Sequence, residues 1–99
     1  MLKAAQSKQS VDRETAETIA AQGLAFVAAD AHRLQNFLTL TGITPAELKR
    51  RIGTAEVLLA VLNFLAQDES ALLTFAASQQ IAPESIGAAL ARLDAPDVA

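Results

Sequence analysis

Residues 24–52, LAFVAADAHRLQNFLTLTGITPAELKRRI, return in altered form as residues 62–90, LNFLAQDESALLTFAASQQIAPESIGAAL. A shift of 38 positions pairs Leu24 with Leu62, Phe26 with Phe64, Asp30 with Asp68 and Phe37 with Phe75. It also pairs Ile43 with Ile81 and Pro45 with Pro83, and sets Leu48 and Ile52 against Ile86 and Leu90. Both copies read as an apolar helix, an aspartate, a second helix with Leu-x-x-Phe, then Ile-x-Pro and a third short helix. Self-similarity at a fixed period marks a duplicated supersecondary unit. The expected fold is therefore all-α: a compact six-helix bundle of two tandem three-helix units related by an approximate two-fold axis.

Ile43-Thr44-Pro45-Ala46-Glu47-Leu48 carries the sharpest local signal. Thr44 as N-cap and Glu47 three residues on make a capping box, Pro45 takes the first helical position, and Ile43 and Leu48 are the ends of a hydrophobic staple. The second copy keeps the proline but has Ala82 where Thr44 stands, so its helix start lacks a side-chain cap. Asp12, Asp30, Thr54 and Asp68 are the expected caps of the other helices. Gly42 and Gly53 supply left-handed stops.

Ala16, Ile19, Ala20, Gly23, Phe26 and Val27 recur at helical spacing and give the first helix one apolar face. Gly23 within that face implies close contact with another helix. The run from Val57 to Leu65 leaves almost no polar side, so the fourth helix is expected at the centre, against the first. Leu72, Leu73, Phe75 and Ala76 are expected to face inward on the fifth. Ile86, Leu90 and Leu93 form the stripe of the sixth, with Gly87, Ala88, Ala89 and Ala91 on its outer side. Residues 1–11 read as a mobile polar tail, 12–95 as one helical domain and 96–99 as a frayed end.

Ninety-nine residues with 52% apolar side chains suffice for one core, though a unit near forty residues cannot stand alone. Four phenylalanines are the only aromatics, and few residues are β-branched, which favours helix over strand. With no cysteine there is no disulfide and no thiolate site. The N-terminal stretch lacks the apolar run of a secretory signal, and the most apolar segment is too short to span a bilayer. A cytoplasmic location without membrane attachment is expected.

Phe26-Val-Ala-Ala-Asp30, the run from Phe37 to Leu48, and Val61-Leu-Asn-Phe-Leu-Ala-Gln-Asp-Glu-Ser70 resemble a family of short, uncharacterised, all-helical bacterial proteins. The family is common in alphaproteobacteria and is classified as a domain of unknown function. The resemblance covers about residues 14–93. It implies a helical fold and a bacterial cytoplasm, and it transfers no activity, cofactor or catalytic residue.

The residues offer little to an enzyme. His32 is the sole histidine and falls in the first turn of a helix, where it reads as surface. Asp30 and Asp68 could converge as a carboxylate pair, but capping accounts for both. No metal-ligand spacing and no glycine-rich phosphate loop is present, so no catalytic, cofactor or metal site is expected. The net charge of −3 opposes general attraction to nucleic acid. The alternative function rests on helices two and three as a helix-turn-helix, with Lys49, Arg50 and Arg51 on the second element and Arg33 nearby. The basic residues sit at its C-terminal end, however, and the second copy has Gly87-Ala88-Ala89 in their place. The expected function is a non-catalytic interaction or regulatory module, with an unknown protein or a second copy as partner.

Overall fold

The computed structural model of the protein describes residues 11–95. They form α1 (Arg13–Ala28), α2 (Ala31–Thr41), α3 (Pro45–Arg51), α4 (Ala55–Gln67), α5 (Glu69–Gln79) and α6 (Pro83–Asp94). No strand occurs among the described residues. The expected tail and frayed end lie outside them, apart from Val11. That residue packs half-buried against the core and is not part of a mobile tail.

The caps explain the boundaries. Asp12, Asp30 and Asp68 each accept a backbone N–H from three residues on, at 2.8, 3.0 and 3.1 Å. Thr44 and Glu47 close the capping box at 3.0 and 3.1 Å, and Ala82 makes no side-chain cap bond. Gly42 ends α2 at φ 76°. Its counterpart in the second copy is Gln80, which takes the same left-handed conformation at φ 57°. An L side chain there costs roughly 1–2 kcal/mol.

The core is built on α1, α4 and α6, each in contact with the other two; α2 leans on α1 and α4, and α5 on α4 and α6. Val27, Phe37, Val61, Leu62, Leu65, Phe75 and Ile86 are fully enclosed. Each such side chain contributes about 1.5–3 kcal/mol relative to exposure. Gly23 lies where α1 crosses α4: a Cβ added there would stand 3.1 Å from both Leu65 Cδ1 and Val61 Cγ1. Repeat-related phenylalanines exchange partners. Phe26 meets Phe75 at 5.3 Å between ring centroids, and Phe37 meets Phe64 edge-on at 5.5 Å.

That exchange does not extend to the third helices, and the expected two-fold is not established for the whole molecule. Helix α6 packs on α1, α4 and α5, whereas α3 makes no comparable interface with any helix. The shift of 38 supplies the reason. Ala89, wholly buried in α6, corresponds to Arg51 in α3. A guanidinium cannot take an apolar core position without a large desolvation cost. Ala88 and Gly87 correspond likewise to Arg50 and Lys49. Helix α3 therefore attaches through Leu48 and stands away from α4.

Three further expectations are corrected. Ala89 faces the core and Ala88 is half-buried, while Gly87 and Ala91 are exposed, so only part of the small-residue set of α6 lies on its outer side. Leu73 is 47% exposed. Helix α4 is not enclosed on all sides, because Glu56, Asn63 and Gln67, at helical spacing, remain exposed along one stripe.

Candidate functional site

The open stripe of α4 forms one wall of a groove whose other wall is α2 and α3. Near α3 it widens to a cavity of about 580 Å³ that Ile43, Ala60 and Phe64 line from the apolar side. Glu47, Arg51 and Glu56 stand around the same cavity. A second cavity of about 480 Å³ adjoins it toward α5, sharing Leu40, Phe64 and Gln67 and ending at Asp68 and Glu69. Leu40 lies on the wall common to both and is 73% exposed, the most exposed large apolar side chain among the described residues. The groove is the space left by the stand-off of α3.

Electrostatics around the groove are fixed by local bonds. Arg51 donates to Glu56 across the turn between α3 and α4, so one member of the basic triad is already paired. The backbone N–H of Thr44, followed by its hydroxyl, holds the Glu47 carboxyl below its ordinary value of 4.5. The two cavities together carry four acidic side chains, Glu47, Glu56, Asp68 and Glu69, and one guanidinium, Arg51, which is paired.

The structure separates the four residues of the nucleic-acid alternative. Lys49 and Arg50 are exposed on the last turn of α3, while Arg51 turns to the groove. Arg33 sits in the first turn of α2, its Cζ 4.2 Å above the centre of the Phe26 ring. Such a cation–π contact contributes about 0.5–1 kcal/mol at an exposed site. At the start of α3, where a recognition helix would read bases, Pro45 and Ala46 are exposed and Glu47 is bonded into the cap.

His32 does share a shallow polar depression of about 330 Å³ with Asp30, Asp68, Arg33, Asn36 and Ser70. Both aspartates spend one oxygen on capping. The backbone N–H of Arg33 holds the Asp30 carboxyl below its ordinary value of 3.8, which makes it a weak proton acceptor near neutral pH. No group of three acidic or histidine side chains able to hold a metal occurs among the described residues.

The family model described as "Protein of unknown function (DUF3572)" matches residues 13–96. The chain belongs to this family. No curated protein and no solved structure matches it. The span matched by DUF3572 takes in all six helices and hence the whole groove. Within this DUF3572 chain no single described helix is long and apolar enough to cross a membrane; α4 and α5 reach the required length only together and are bent by 111°.

The groove was not foreseen from the sequence. Its signals were the unpaired Leu40 after the inward Phe37, and the polar stripe of Glu56, Asn63 and Gln67 on an otherwise apolar helix.

Proposed function

We propose that this chain is a small non-catalytic module that binds another protein in the groove between α2, α3 and α4. The observation that carries the reading is Leu40, 73% exposed on a wall that runs down to the nearly buried Phe64. Large apolar side chains rimmed by polar ones are what a partner covers. Arg51, engaged with Glu56, and the acidic surroundings weigh against the same surface taking a phosphate backbone.

Tagged protein recovered from the organism that encodes it, alongside a Leu40→Lys variant, tests the reading. Stoichiometric retention of a protein by the first and its loss from the second supports the proposal. Retention of nucleic acid in place of protein, or equal recovery by both forms, contradicts it.

A further inference from the structure

We infer that the groove takes an amphipathic helix whose apolar face is flanked by lysine or arginine; this rests on the interaction reading above. Three features define the occupant. The two cavities follow α4, whose 13 residues extend about 20 Å, the length of a three- to four-turn helix. No strand edge exists among the described residues to pair with an extended peptide, whereas a trough between helices accepts the side-chain ridges of another helix. The apolar lining, Leu40, Ile43, Ala60 and Phe64, is bounded at one end by Glu47 and by Glu56 paired with Arg51, and at the other by Asp68 and Glu69. Charge complementarity therefore favours a basic partner. It disfavours a second copy docked symmetrically, because an isologous contact sets the same carboxylates against each other.

The test uses the full-length chain and a dye-labelled helical peptide with leucines on one face and lysines along both edges of that face. A matched peptide carries glutamates in place of the lysines. Anisotropy titrations are run on the native chain, on Leu40→Lys and on Leu73→Lys. The last two carry the same charge change, at exposed leucines inside and outside the groove. The expected result is binding of the lysine peptide that falls about tenfold in Leu40→Lys and far less in Leu73→Lys. The glutamate peptide is expected to bind weakly to all three.

Equal weakening by the two variants would show unspecific attraction and overturn the inference together with the groove reading. Equal, Leu40-dependent binding of both peptides would overturn the basic partner and leave the interaction reading intact. A mass in light scattering that grows with concentration, and stops doing so in Leu40→Lys, would assign the groove to a second copy and overturn the inference.

Discussion

Gln80 is the position where backbone and side chain disagree most openly. It holds φ 57° at the place where the first copy uses Gly42. Gln80→Gly is expected to raise stability by about 1 kcal/mol, since the strain removed exceeds the cost of the extra freedom that glycine gives the unfolded chain. Urea denaturation measures it, and an unchanged midpoint would show the strain to be relieved elsewhere. Gly23 behaves in the opposite sense. Gly23→Val drives methyl groups into Leu65 and Val61 and is expected to cost about 2–3 kcal/mol. Gly23→Ala is expected to cost less, because about 1 kcal/mol of helix propensity offsets the crowding.

At the scale of helices, the starts carry the pH dependence. Asp12, Asp30 and Glu47 have carboxyl groups held below their ordinary values, chiefly by hydrogen bonds from Thr15, Arg33 and Thr44 respectively. A depressed folded-state value means that the stabilisation is complete above the ordinary values of 3.8 and 4.5. It is lost as the pH falls through the lower folded values. Thermal midpoints are expected to hold from neutral pH to about 5 and then fall, with a smaller fall in Asp30→Asn. Ala82→Ser, which supplies the missing cap of α6, is expected to add about 1 kcal/mol. These starts were legible because a cap is a local matter: one oxygen, three residues from the N–H it accepts. Leu73 and Leu40 were not legible. Their surroundings depend on how far α3 and α5 stand from α4, which no local pattern states.

Over the whole molecule, the decisive difference lies between the two third helices. The sequence shows Lys49-Arg50-Arg51 opposite Gly87-Ala88-Ala89. The consequence for packing follows only once Ala89 is seen inside the core. The aromatic pairs and the Asp30 and Asp68 caps of the two copies match, while α6 completes the α1–α4 layer and α3 stays at its edge. Ile86→Ala is accordingly expected to cost about 3–4 kcal/mol, and Leu48→Ala, its counterpart in α3, about 2 kcal/mol. Native-state hydrogen exchange reaches the same point without any mutation. Amides of residues 48–51 are expected to open locally, with protection at least roughly tenfold below residues 87–93, which exchange only on global unfolding. Equal protection of the two segments would mean that α3 belongs to the core as fully as α6, and that no standing groove separates it from α4.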